Sequence, residues 1–220
     1  MEFPEKQRDE EARMCHRISP LLIEELRAAL EERRKTGHAR VPRREPDVMV
    51  PDVYPGRQLP LFVPDDAGEL TASSFVWGFE GPPSGRQKLV YNTRIETALQ
   101  HAREGRGMWA EPIELGRCLV PVHGFYEWWT RSPARRGTQV RFTYPGQRVF
   151  LLAGVCWGGS VSIVTTEPNP VMAPVHNRMP LVLAPGESSV WLGSDYAQLA
   201  DRSRIPLLAV AEEPSEGSGA

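Results

Sequence analysis

The sequence predicts a single α+β domain with a curved, barrel-like antiparallel β core and peripheral helices. Three observations carry this expectation. Short runs rich in β-branched and aromatic residues recur along most of the 220-residue chain, whereas helical periodicity is confined to a few stretches. Neither a repeat nor an internal linker divides the chain between its polar ends. A chain of this length suits one domain with a substantial core.

Residues 19–37, "SPLLIEELRAALEERRKTG", read as the first helix, with Ser19 as cap, Pro20 at the first helical position and an apolar stripe of Leu22, Leu26, Ala29 and Leu30. Cys15 then stands just ahead of a helix start. Residues 41–65 are rich in Pro and β-branched residues, which favours short extended pieces joined by fixed turns. "SSFVWGF" (73–79) and "KLVYN" (88–92) read as strands, and "IETALQHAREG" (95–105) as a helix, with Asn92, Arg94 and Glu96 at the junction. "RCLVPVHGFYEWW" (117–129) reads as a hairpin turning at His123–Gly124. Strands follow at 139–145, 148–157 and 160–166, then a Pro-rich loop "EPNPVMAP" (167–174), the segment "VHNRMPLVLAP" (175–185) and one late helix within 186–200. Mixed segments of this kind make an α+β domain.

Composition excludes some classes of function. Hydrophobic residues make up 40% and charged residues 25% of the chain, the balance of a soluble globular protein, and no apolar run approaches the roughly 18 residues of a membrane span. The first thirteen residues lack the apolar core of a secretory signal, and three cysteines (15, 118 and 156) are too few and too scattered for a disulfide framework. A cytoplasmic setting is expected. Residues 1–13 and 214–220 are expected to be disordered tails around a domain over 14–213, because neither end can bury enough apolar surface to offset its ordering entropy. Taking the eight acids and three bases of residues 1–13 and 212–220 from the chain's 28 and 26 leaves 20 acids against 23 bases. That body permits a local basic groove for phosphates.

Glu127 is the most informative position. Alternation in "FYEWW" puts it on one face with Phe125 and Trp129, and a carboxylate among aromatics acquires a raised pKa suited to proton transfer. The alternative is a partly exposed glutamate balanced by an arginine. His176 sits in a loop constrained by prolines 168, 170, 174 and 180, where it can be aimed as a proton shuttle or be held for structural reasons. Cys118 and Cys156 lie in apolar strand patterns as small buried residues. Cys15 differs, since a helix N-terminus beside it favours a thiolate. The cysteines and histidines form no metal-ligand pattern, so neither metal nor cofactor is expected.

Together "MCHR" (14–17), "VYPGRQLPLFV" (53–63), "VWGF" (76–79), "YNTRIET" (91–97), "RCLVPVHGFYEW" (117–128), "LAGVCW" (152–157), "IVTTEPN" (163–169) and "HNRMPLVL" (176–183) resemble, in order, the SRAP family of SOS-response-associated peptidases or abasic-site processing proteins. The resemblance implies an SRAP-like α+β barrel with a positively charged groove for single-stranded DNA containing abasic sites, acting as a monomer. In that family methionine is removed and the cysteine leads the chain with a free α-amine, which forms an imine with the ring-opened aldehyde of an abasic site. The adjacent thiol then closes a thiazolidine, a DNA–protein crosslink.

By motif, Cys15 would be the covalent nucleophile and Asn92 would position the cysteine and sugar. Glu127 would serve as acid and base. His176 would help protonate the sugar oxygen and could assist slow lyase chemistry. Arg17, Arg94 and Arg178 would contact phosphates, and Trp77 and Trp128 would support or stack against bases. The family usually has glycine where His16 stands, alanine where Thr93 stands and a small or acidic residue where His123 stands.

A further departure is the thirteen-residue extension, which leaves the Cys15 nitrogen an amide that cannot form an imine. Translation starting at Met14, a propeptide released at Arg13 or Met14, or a retained extension with loss of crosslinking are the alternatives. The activities in competition are abasic-site crosslinking, cysteine peptidase-like hydrolysis of a peptide bond, its own propeptide included, by Cys15, Glu127 and His176, and non-covalent binding of single-stranded DNA.

Overall fold

The computed structural model describes residues 15–37, 51–81, 89–129 and 137–212. The expected tails, His38 and residues 41–50 of the Pro-rich segment lie outside these residues. The chain runs β1 (Arg17–Pro20), α1 (Ile23–Thr36), β2 (Gln58–Pro64), β3 (Leu70–Trp77), β4 (Phe79–Glu80), β5 (Leu89–Val90), β6 (Asn92–Arg94) and α2 (Ile95–Glu104). It continues through α3 (Ala110–Leu115), β7 (Arg117–Trp128), β8 (Gln139–Thr143), β9 (Phe150–Trp157) and β10 (Ser160–Thr166). The last elements are β11 (Met179–Pro180), β12 (Val182–Leu183), α4 (Ser188–Leu192), a 3-10 turn over Tyr196–Ala200 and β13 (Leu208–Ala211).

Strands β2, β3, β10, β9 and β7 close on one another, since β7 pairs with both β2 and β9. The barrel is antiparallel except where β10 lies parallel to β3 and β6. Period-2 alternation divides the side chains into two cores. Leu59 and Leu61 of β2, Cys118 and Val120 of β7, and Phe150 and Leu152 of β9 fill the interior. Phe62, Leu119, Ala153 and Val155 from the same strands face outward, under Leu26 of α1, Ile95 and Ala98 of α2, Ile113 of α3 and Trp191 of α4. The helices are thus peripheral, as the sequence predicts.

Strand β7 departs from the expected hairpin. It is one continuous strand of 12 residues, pairing with β9 through Val122 and with β8 from Phe125. Against β1, Ser19 is opposite Gly124 but Pro20 is opposite Val122, so His123 is an extra residue in a β-bulge. The bulge reverses the alternation. Cys118, Val120 and Val122 face the interior before it, and Phe125 and Glu127 face the interior after it. Gly124 is needed here, because a Cβ would stand 3.0 Å from Arg141 Nε and 3.1 Å from the Phe142 carbonyl oxygen.

The first helix also starts later than its sequence suggests. Ser19 and Pro20 belong to β1, and the Leu22 N–H is capped by the Glu25 carboxylate at 2.8 Å. Pairing with β7 on one side and with Val53 on the other, where Ile18 and Val53 exchange backbone hydrogen bonds at 3.1 and 2.8 Å, overrides the local helix-start signal. Acids in the first turn, Arg33, Arg34 and Lys35 in the last, and left-handed Gly37 (φ 78°) then set its ends.

Trp77 is fully buried, donates its indole N–H to the Tyr91 carbonyl at 2.9 Å and packs edge-on to the Tyr91 ring. It is therefore core, which corrects its assignment to base contacts. Trp77→Ala is expected to lower stability by about 3–5 kcal/mol in urea unfolding. A loss within about 0.5 kcal/mol, typical of surface sites, would contradict the burial.

Candidate functional site

Strand β1 lies antiparallel to the far half of β7, with Arg17 opposite Tyr126 and Ile18 opposite Phe125. This pairing brings Cys15 to Glu127. The Cys15 backbone N–H donates to Glu127 Oε1 at 2.6 Å, with Cys15 wholly buried and Glu127 1% exposed. Burial pushes the Glu127 carboxyl well above its ordinary pKa, opposed by the Cys15 N–H. It also pushes the Cys15 thiol up, with the Glu127 charge adding to the rise. The expected thiolate at a helix N-terminus is thus corrected: Cys15 precedes a strand and keeps its proton. Its backbone is left-handed, with φ 40°, a conformation that costs a non-glycine residue about 1–2 kcal/mol.

The predicted site residues divide into two groups around this pair. Asn92 is half-buried on β6, opposite Ile163 of β10. His176 is buried behind the proline loop, with its Nδ1 3.1 Å from the Arg178 backbone nitrogen and 3.2 Å from the Arg178 carbonyl oxygen. Cys15, Phe125 and Val175 share the interior core, and Tyr91 and Trp129 pack against it. The chain neighbours of Asn92 and His176 thus meet the core that holds Cys15. Arg94 is exposed at the start of α2.

Other predicted residues are internal. Arg178 is 5% exposed, and its guanidinium forks onto Glu96 at 3.0 and 2.8 Å, reaching Glu167 at 2.8 Å and the Thr165 carbonyl at 2.9 Å. It clamps the loop carrying His176 to α2 and is not disposed toward a phosphate, a correction to its expected role. Burial would raise the Glu96 carboxyl, but Arg178 and Arg94 hold it below its ordinary value. Arg17 is similarly committed. Its Nε donates to Asp52 at 2.6 Å, Nη1 meets Gln139 and Glu212, and its guanidinium carbon lies 3.9 Å from the Tyr126 ring centroid. Sequence reasoning missed Asp52, Gln139, Glu167 and Glu212, whose pairing depends on long-range register and leaves no local signal.

On the outer face, Trp128 is 37% exposed and donates its indole N–H to His16 Nε2 at 2.8 Å. The departures at Thr93 and His123 leave the centre alone. Thr93 is buried with its hydroxyl on Ser162 at 2.8 Å, and His123 Nδ1 contacts the Arg148 carbonyl at 2.9 Å. Among the described residues, no group of three or more His, Cys, Asp or Glu could hold a metal ion, and no helix is long and apolar enough to cross a membrane.

Comparison with known proteins bears on this geometry. The family described as SOS response associated peptidase (SRAP) matches residues 14–215. Abasic site processing protein YoaM of Bacillus subtilis is 28% identical over 164 residues, covering 67% of this chain and 69% of its own. Abasic site processing protein HMCES of Gallus gallus is 26% identical over 180 residues, covering 67% of this chain and 52% of its own. In fold, the chain is similar to a phage-related protein of Bordetella bronchiseptica, with TM-score 0.62 and 20% identity over 93% of this chain and 97% of that one. A Bacteroides thetaiotaomicron protein gives TM-score 0.60 at 21% identity, covering 89% of this chain and 92% of that one.

The raised carboxyl pKa makes a signed prediction. A glutamate harder to ionise when folded contributes its stability below the unfolded pKa, about 4.3, and loses it as pH rises through the higher folded value. Wild-type stability should therefore fall relative to Glu127→Gln across that window. Urea unfolding of both proteins from about pH 4 to about pH 8 checks this, and parallel curves would mean that the folded carboxyl titrates as it does in water.

Proposed function

Because the chain belongs to the SOS response associated peptidase family, we propose that it processes abasic sites in single-stranded DNA by forming a thiazolidine through Cys15. The observation that carries the proposal is the 2.6 Å contact between the Cys15 nitrogen and the buried carboxyl of Glu127. The relatives named as abasic site processing proteins support the substrate class.

In a chain beginning at Cys15 the same nitrogen is an α-amine, with an ordinary pKa of about 7.7–8.0, so an appreciable fraction of it is neutral at cellular pH. It adds to the aldehyde carbon of the ring-opened abasic sugar to give a carbinolamine. Protonated Glu127 donates to the departing hydroxyl, water leaves and the imine forms. Sγ then bonds to the imine carbon, the thiol proton passes to nitrogen, and the five-membered ring closes. The balance is amine, thiol and aldehyde to thiazolidine and one water. A dry carboxyl of raised pKa serves as acid in the dehydration and as base in its reverse. His176 would donate a proton to the sugar ring oxygen, and Asn92 would orient the sugar. Arg94 is the exposed candidate for a phosphate contact.

A second activity has its own observation. The positive φ of Cys15, with Glu127 at its nitrogen, supports self-cleavage before Cys15. Sγ adds to the preceding carbonyl carbon, the C–N bond breaks with the nitrogen taking a proton from Glu127 while the thiol proton restores the carboxyl, and water hydrolyses the thioester to return the thiol. One water is consumed and the amine needed for crosslinking is released. Loss of the preceding peptide bond also removes the strained torsion.

Two versions of the chain test the crosslink, one beginning at Cys15 and one with a single residue before it that resists removal. With a single-stranded oligonucleotide carrying one abasic site, the first should give a denaturation-stable adduct with the summed mass less one water. The second should give none. An adduct from both, or from neither, would overturn the α-amine mechanism.

A further inference from the structure

The residue after the nucleophile and the residue after the acid are joined to each other. Trp128 donates its indole N–H to His16 Nε2 at 2.8 Å, with ring planes 11° apart and centroids 5.7 Å apart. That N···N distance is shorter than the spacing of stacked rings, and the donated hydrogen and accepting lone pair lie in their own ring planes. The rings therefore meet edge to edge, as hydrogen-bonded bases do, and form one flat surface. Trp128 is 37% exposed and Tyr54 46% exposed. The Tyr54 ring, centred 6.5 Å from His16 and tilted 47°, flanks that surface.

We infer that His16 is a positioning residue: it fixes the Trp128 indole, and the two rings form a platform for the nucleobase next to the abasic nucleotide. The inference rests on the abasic-site reading and on the base contact expected at Trp128, and adds His16 as the residue that holds that indole in place. Bases along a stacked strand are separated by about 3.4 Å. Residues 16 and 128 directly follow Cys15 and Glu127, one Cα–Cα step of about 3.8 Å from each, so their rings are the neighbouring surface offered to a base that adjoins a sugar bonded at Cys15. Stacking tolerates any base because each has a π-face, as a lesion sensor requires. Neutral His16 accepts through Nε2 and keeps its proton on Nδ1, so the indole cannot swing away without losing this partner. Glycine, the residue that the resemblance leads one to expect at position 16, offers neither ring nor acceptor side chain.

Non-covalent binding tests the inference without any crosslink. The probes are two single-stranded oligonucleotides with a central tetrahydrofuran, a sugar analogue that cannot open to an aldehyde. One has adenines on both sides, and the other has further tetrahydrofuran residues there. Wild type should bind the adenine-flanked probe about ten-fold more tightly, within the range of one base–aromatic stack. His16→Gly should lose most of that ratio, and His16→Gln, which retains a planar acceptor, should keep more than half of it. A ratio near one in wild type, or an unchanged ratio in His16→Gly, would overturn the platform. If wild type binds neither probe, the DNA reading fails and this inference fails with it, whereas binding without later crosslinking to a true abasic site would count against the covalent mechanism alone.

Discussion

The hydrogen bond between the Cys15 nitrogen and Glu127 Oε1 is the interaction around which the rest of the structure is arranged. A buried carboxyl is tolerable when it is neutral or hydrogen-bonded, and here the partner is the backbone nitrogen of the residue that carries the thiol. One extra residue in β7 makes the meeting possible. Without the bulge at His123, the alternation that sends Val120 and Val122 inward would turn Tyr126 into the barrel and Glu127 out of it. Gly124 lets the neighbouring backbone approach closely enough for the same strand to change partners from β9 to β8.

The charged residues around this centre hold elements in place. Arg178 secures the His176 loop through a two-toothed contact with Glu96, and Arg17 ties the start of the chain to Asp52, Gln139 and Glu212. Bidentate pairs of this kind add geometric specificity as well as energy. The proposed chemistry needs two groups on one residue, an amine and a thiol, brought to a proton donor, and β1 supplies the first residue of that constellation by pairing along β7. Neither partner carries a fixed charge into the core if both keep their protons, which is the direction in which burial drives each.

Glu127 was legible because its alternation with Phe125 and Trp129 is local and survives beyond the bulge. The α+β barrel was legible because strand-forming runs recur and helices are few. What stayed hidden depends on long-range register. "HG" at 123–124 carries a turn signal that a bulge can also use, and pairing of β1 with β7 overrode the cap signal of Ser19–Pro20. The arginines of "MCHR" and "HNR" were candidate anion contacts by type, yet their acids lie 35 and 195 residues away for Arg17 and 82 and 11 residues away for Arg178. Only the fold brings them together. Arg94 stayed at the surface, at the start of α2.

The measurement that bears most directly on this account is the rate of adduct formation by Glu127→Gln in a chain already beginning at Cys15. Its binding to the tetrahydrofuran oligonucleotide should be followed alongside. An amide can hold the Cys15 nitrogen but cannot exchange the proton that imine formation requires, so the rate should fall by about 100-fold or more while non-covalent affinity stays within about two-fold. An unchanged rate would contradict the account, since the carboxyl at the nitrogen would then have no part in the chemistry.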